Sequence, residues 1–268
     1  MQKNINNLSL VYFLFLTMLF LSGTFSGVWS TIVYLLAFIV PLVIGLYLTK
    51  DEKNEAKKYL TLDYEGVRRT LPIVAPAVSV VIILSALTSF VIYLVFGRTN
   101  NVDVGDAFIP AIIRHALLPA VLEEMLFRYL PMRLLLPHSR RWTVLISAIF
   151  FALIHHDLFV IPYAFVAGVI FMVVDIAVDS VIPSMIIHFI NNLLSVSLLV
   201  FKDNPNFAPI IYIMLGILTL LSLIDIIGGK YYQKRVAYAF DEGERAKIPT
   251  SMIAFAVITL AIAVLGLL

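Results

Sequence analysis

The chain has no cysteine among its 268 residues. That excludes a disulfide framework, a thiolate nucleophile and a cysteine-ligated metal, and it leaves the redox compartment unread. Charge is scarce too: 13% of residues are charged, whereas a soluble domain carries about 25%. There is no H-E-x-x-H pair, which would place two metal ligands and a base on one helix. No repeat, low-complexity tract or second soluble domain is visible, so residues 1–268 read as a single membrane-embedded domain. What fills the chain instead is apolar: 61% of residues are hydrophobic. That surplus needs lipid to cover it, so the fold class is all-α, a polytopic membrane helical bundle. The net charge of +2 says little as a sum, and nothing in it asks for a nucleic-acid partner.

Crossing a hydrocarbon core of ~30 Å takes about 20 residues. Apolar stretches at 9–28, 31–49, 72–97, 108–131, 142–157, 161–178, 183–201, 208–228 and 250–268 qualify, although the fifth and sixth are short. Eight or nine transmembrane helices are therefore expected around a polar intramembrane cavity. Residues 9–27 run too long for a signal peptide and no A-x-A site follows, so they read as a retained first helix. With nine crossings, fifteen Lys and Arg fall on one side, in the amino terminus and the 50–71, 132–141 and 229–249 loops. Only Arg98 and Lys202 fall on the other, and Arg114 and Arg128 lie within a span. That asymmetry predicts a cytoplasmic N-terminus and a cytoplasmic 50–71 loop. The same loop reads as a solvated connection or as an interfacial amphipathic helix. Gly228-Gly229 punctuates the end of the eighth span.

Within one of these runs stand Glu123, Glu124 and Arg128. Each ionisable group at such a depth costs about 2.5–3.5 kcal/mol on insertion scales, so three within six residues point to use. Read as an α-helix, the stretch sets Glu124 and Arg128 at i, i+4 on one face, acid first, the favourable order for an ion pair. Glu123 sits about 100° around the helix. The spacing thus separates a supported carboxylate from a free one, and a carboxylate without a strong counter-ion in apolar surroundings suits a general base. A structural ion-pair cluster clamping helices is the plainer reading of the same three residues.

Two later spans carry polar islands. Phe151 and His155 close the fifth span, ahead of His156 and Asp157, and His188 and Asn192 sit at i, i+4 on one face of the seventh. Each histidine alone is as well read as a packed core residue. Three islands in three spans are another matter, because polar groups in lipid turn toward the bundle interior and meet there. Asp175, Asp179 and Asp225 read as interfacial, Arg114 and His115 as snorkelling, and Asn191, Ser180, Ser184 and Ser195 as helix-packing residues. His156 and Asp157 read either as orienting His155 or as ending the helix.

Taken in order, Glu123-Glu124-x-x-x-Arg128, Phe151-x-x-x-His155 and His188-x-x-x-Asn192 resemble the motif set of the CPBP family. This family holds the CAAX prenyl protease and bacteriocin-processing enzymes, also called Abi, with the Rce1-type CAAX endopeptidases among them. The resemblance covers roughly residues 108–200. It implies an intramembrane endopeptidase in which Glu123 with His155 polarises a water for attack on a peptide carbonyl. By the same resemblance His188 and Asn192 donate to the developing oxyanion, and Glu124 with Arg128 holds the first motif in place. No cofactor, or a divalent metal such as zinc held by Glu123, His155 and His188, is compatible with it. The implied partners are a peptide or protein substrate, which in this family ranges from lipidated CAAX-type to bacteriocin or signal peptides, and the lipid bilayer. A prokaryotic plasma membrane is the expected location. Two further readings stay open on the residues: a proton- or ion-coupled transporter using the buried Glu and His, and an inactive membrane scaffold.

Depth gives a check. Glu123 lies roughly 12 Å from Pro131 at 1.5 Å per residue, and His188 roughly 8 Å past Pro183. His155, roughly 21 Å past Arg141, does not share that plane on these boundaries.

Overall fold

The computed structural model describes residues 1–49, 58–61, 64–97, 107–201, 238–240 and 247–265, with scattered positions between 203 and 220. Among them the chain is helical, with no strand. Helices run over Gln2–Ser22, Gly27–Leu48 and Tyr64–Phe96. A continuous helical run over 108–135 follows, then Arg140–Leu153, Val160–Val178, Ile182–Val200 and Thr250–Leu265.

Among the described residues five helical segments are long and apolar enough to cross a membrane: Gln2–Ser22, Gly27–Leu48, Pro76–Val95, Val160–Val178 and Ile182–Val200. The all-helical membrane class expected from composition is thus present. The count of eight or nine is not reached by these five. Residues 142–157 yield only the helix Arg140–Leu153, and Thr250–Val264 is likewise short. The expected span at 208–228 falls largely outside the described residues, as do residues 50–57 and 62–63 of the 50–71 loop, Arg98, Lys202, Asp225 and Gly228-Gly229, while the end of that loop belongs to the helix that starts at Tyr64.

The 108–135 run is the axis of the fold, and it departs from a plain α-helix. Two of its turns are π-helical, Ile113–Leu117 and Met125–Tyr129. It also continues through Pro131 to Leu135. Proline has no N–H to offer the carbonyl four residues back. Here that carbonyl belongs to Phe127, and it accepts from the Ser147 hydroxyl of the next helix instead. Asn4 Nδ2 donates to the Leu134 carbonyl at 2.8 Å, and Arg133 Nη2 to that of Thr49 at 2.7 Å, so the last turn is tied to the first two helices.

The longer helix resolves the mismatch in depth. Glu123 stands twelve residues from Leu135, or roughly 18 Å, closer to the roughly 22 Å of His155 from the start of its helix at Arg140. Pro131 was the wrong boundary.

Aromatic side chains pack the back of this axis. Tyr12 stacks on Phe127 with ring centroids 5.2 Å apart and meets Phe150 at 4.8 Å, while Phe15 meets Phe38 at 4.8 Å. The pair Arg140–Leu153 and Val160–Val178 approaches closely through Gly168, where a Cβ would come within 2.9 Å of the Ala148 Cα. Asp179 ends the second of these helices in the left-handed region at φ 56°. The turn that follows is buried, with Ser180 and Val181 fully covered and the Val181 N–H donating to the Tyr59 carbonyl at 3.0 Å. The helix Ile182–Val200 therefore starts inside the protein, which carries His188 to the depth of Glu124.

Candidate active site

Glu124 and Arg128 form the ion pair that their spacing predicts. Oε2 of Glu124 lies 3.2 Å from Nε of Arg128, and both side chains are fully buried. The arginine is caged by aromatic faces, its guanidinium carbon 4.0 Å from the Phe151 centroid and 5.2 Å from that of Phe171. A cation over a π face in a dry setting contributes ~2 kcal/mol. Nη1 and Nη2 are buried and make no hydrogen bond among the described residues, so charge and cage hold this group.

His188 reaches both glutamates. Its Nδ1 donates to Glu124 Oε1 at 2.8 Å, and its Nε2 faces Glu123 Oε2 at 3.9 Å. Glu124 is an acceptor on both oxygens, so this contact fixes which ring nitrogen carries the proton and which one looks into the site. Glu123 keeps 13% of its side-chain surface open, against none for Glu124. The division into a supported and an accessible carboxylate is therefore the one the helical spacing predicts. Tyr34, on the helix Gly27–Leu48, lies within electrostatic reach of both Glu123 and Arg114. Nothing in the spacing marks it. Arg114 itself is exposed.

His155 sits just past Leu153, in the turn that ends its helix. Its Nδ1 donates to the Phe151 carbonyl at 2.9 Å, which leaves Nε2 as the available atom. The rings of His155 and His188 both meet Phe151 in T-shaped contacts, at 5.1 and 5.7 Å. One phenyl ring thus joins all three motifs. His156 and Asp157 do not orient His155. Asp157 accepts from the Phe159 N–H at 2.9 Å and starts the next helix, and His156, at φ 50°, makes the turn.

Asn192 lies one turn past His188. Asn191 Nδ2 donates to its Oδ1 at 3.3 Å, which directs the Asn192 Nδ2 away from that contact. The Tyr163 hydroxyl lies near Asn191 and Ser85. Asn191 was expected only to pack, and instead it holds its neighbour.

Asp175 corrects a second expectation. It is fully buried rather than interfacial, and its Oδ1 accepts from the Ser184 N–H at 3.1 Å. A carboxylate inside an otherwise apolar helix, seven residues before a helix start at Ile182-Pro183, was the available signal.

A metal held by Glu123, His155 and His188 would need the three side chains gathered. Among the described residues no group of three His, Asp or Glu stands where it could hold a metal ion. Nδ1 of each histidine donates, to Phe151 and to Glu124, so a metal could meet only the Nε2 atoms, and these are not gathered with Glu123. In this arrangement the three do not fit as a ligand set.

No curated protein and no solved structure matches the chain. A family model does, over residues 105–194. That segment encloses every side chain of the three motifs, and it covers about a third of the chain. Over these residues the chain resembles the family described as type II CAAX prenyl endopeptidase Rce1-like.

Proposed function

We propose that the chain is an intramembrane endopeptidase that hydrolyses a peptide bond in a CAAX-type, lipidated peptide. The observation that carries this reading is the His188 ring, with Nδ1 on Glu124 at 2.8 Å and Nε2 turned to Glu123 at 3.9 Å. A water beside Glu123 Oε2 is then in reach of a base and an imidazole nitrogen together.

Glu123 takes a proton from this water as its oxygen bonds to the scissile carbonyl carbon. The Nε2 of His155 accepts a hydrogen bond from the water's other O–H, which stays on the oxygen, and so aims its lone pair. The carbonyl π electrons move to oxygen, and that oxyanion accepts from Asn192 Nδ2 and from the Nε2–H of His188 in its imidazolium form, whose other N–H stays on Glu124. Each such donor is worth about 2.7–4 kcal/mol of barrier. Collapse of the tetrahedral species breaks the C–N bond, and Glu123 returns its proton to the leaving amine. Glu124 and Arg128 touch no reacting atom. They hold His188 and the helix that bears Glu123.

The test is cleavage of a prenylated CAAX peptide by detergent-purified protein, with metal analysis of the same active sample. Glu123→Ala and His155→Ala are expected to abolish cleavage while the protein still accumulates. Retained cleavage by purified Glu123→Ala would sink the mechanism, and a stoichiometric metal in the active protein would replace its water step. Proton flux in liposomes, lost on Glu123→Gln and with no peptidase activity, would favour a transporter.

A further inference from the structure

We propose that Asp175 is a positioning residue for this site, setting the height and rotation of the helix that presents His188 and Asn192. The argument starts from what the start of a helix lacks. The first N–H groups of a helix have no intrahelical acceptor. In the helix Ile182–Val200 the residue before the first turn is Val181, which offers no side-chain acceptor. Asp175, from the preceding helix, supplies it by accepting the Ser184 N–H through Oδ1 at 3.1 Å.

Both ends of that contact are fully buried, so its loss leaves an N–H with no acceptor and no water. His188 is one turn past Ser184, and Asn192 one turn further. A bond to the Ser184 N–H therefore fixes the phase of both functional side chains. The Ser184 hydroxyl donates to the Val181 carbonyl at 2.9 Å and lies in side-chain contact with Asp175 and Glu124. Asp175 is also within the field of Arg128 and Glu124. Its carboxylate is thus continuous with the polar core that holds His188, while touching neither Glu123 nor any reacting atom. The helix end at Asp179 and the buried turn over 180–181 keep Asp175 and Ser184 within reach of each other.

This inference rests on the peptidase reading for its kinetic arm only. The absence of cysteine allows a second arm: spin labels on cysteines introduced at exposed Val121 and Ile186 report the spacing of the two site helices. Asp175→Ala is expected to broaden or shift that distance. On the prenylated CAAX peptide it is expected to lower kcat about 10-fold or more with KM within twofold, since a misplacement of ~1 Å can cost on the order of 100-fold. Asp175→Asn keeps an oxygen for the Ser184 N–H and is expected to retain both the distance and most of kcat. A folded Asp175→Ala protein with unchanged distance and kcat would overturn the proposal. If that variant does not accumulate, Asp175→Asn decides: wild-type spacing supports the bond as the positioning element, and a displaced helix overturns it. Should the wild type cleave no peptide, a distance shift in Asp175→Ala still upholds the positioning role and only the peptidase reading fails.

Discussion

Gly168→Ala is the sharpest test of how packing supports the site. A Cβ at that position would lie 2.9 Å from the Ala148 Cα, 3.2 Å from its Cβ and 3.4 Å from its carbonyl oxygen. Two of these three contacts are backbone atoms, so no rotamer change relieves them. Ordinary contact begins at 3.4 Å, and the helices Arg140–Leu153 and Val160–Val178 must part by at least ~0.5 Å. Overpacking of this kind costs about 1–3 kcal/mol. One of the two helices bears Phe151 and leads to His155, and the other bears Phe171 and Asp175. Their separation therefore opens the cage over Arg128 and shifts His155, which in the proposed mechanism holds the water. The expected outcome is a fall in melting temperature of about 2–4 °C per kcal/mol, with kcat reduced on the order of 10-fold. Thermal unfolding of the purified protein and peptide cleavage measure the two. Adding Ala148→Gly removes the 3.2 Å contact but leaves the one at 2.9 Å, so rescue should be partial. Gly216→Ala, where nothing lies within 4 Å, is the matched control. A Gly168→Ala protein that melts and cleaves like the wild type would refute the close-approach argument.

Arg128→Ala leaves Glu124 buried without its counter-ion and should cost about 3–5 kcal/mol, read as a loss of folded yield. A well-folded but inactive Arg128→Ala protein would place the arginine in the chemistry instead. Phe151→Leu keeps an apolar side chain but removes the π face 4.0 Å from the guanidinium and should lower stability by ~2 kcal/mol in thermal unfolding. Asp179→Val puts a β-branched residue at φ 56° and should destabilise by about 1–2 kcal/mol, whereas Asp179→Asn should be near neutral.

Much of the site was legible because helical spacing is a strong constraint. Four residues put Glu124 on Arg128 and left Glu123 accessible, and the same interval placed Asn192 one turn beyond His188. Segments of opposite design were harder. Pro131 reads as a stop, and only the Ser147 hydroxyl, from another helix, lets the chain run through it. Asp175 reads as interfacial because its acceptor role depends on a turn folded inward beneath Tyr59. The place of His188 between two carboxylates was hidden for the same reason, since no spacing in one helix reports what a second helix brings to it. The span count suffered where the helices are short, as at Arg140–Leu153.

The two π turns invert the usual tolerance of a long helix to length changes. A π turn holds one residue more than the α-helical hydrogen-bonding pattern needs, and such turns are frequent at functional sites. Deleting one residue from Met125–Tyr129 would let that turn close as ordinary α-helix, at little cost to the backbone. The helix beyond would keep its phase, because only the surplus residue is lost, and the change would fall on the residues inside the turn. Phe127 and Arg128 are among them, so the guanidinium would leave its cage and the carbonyl now served by Ser147 would turn elsewhere. The place in this helix where the backbone most easily gives up a residue is also where the site can least lose one.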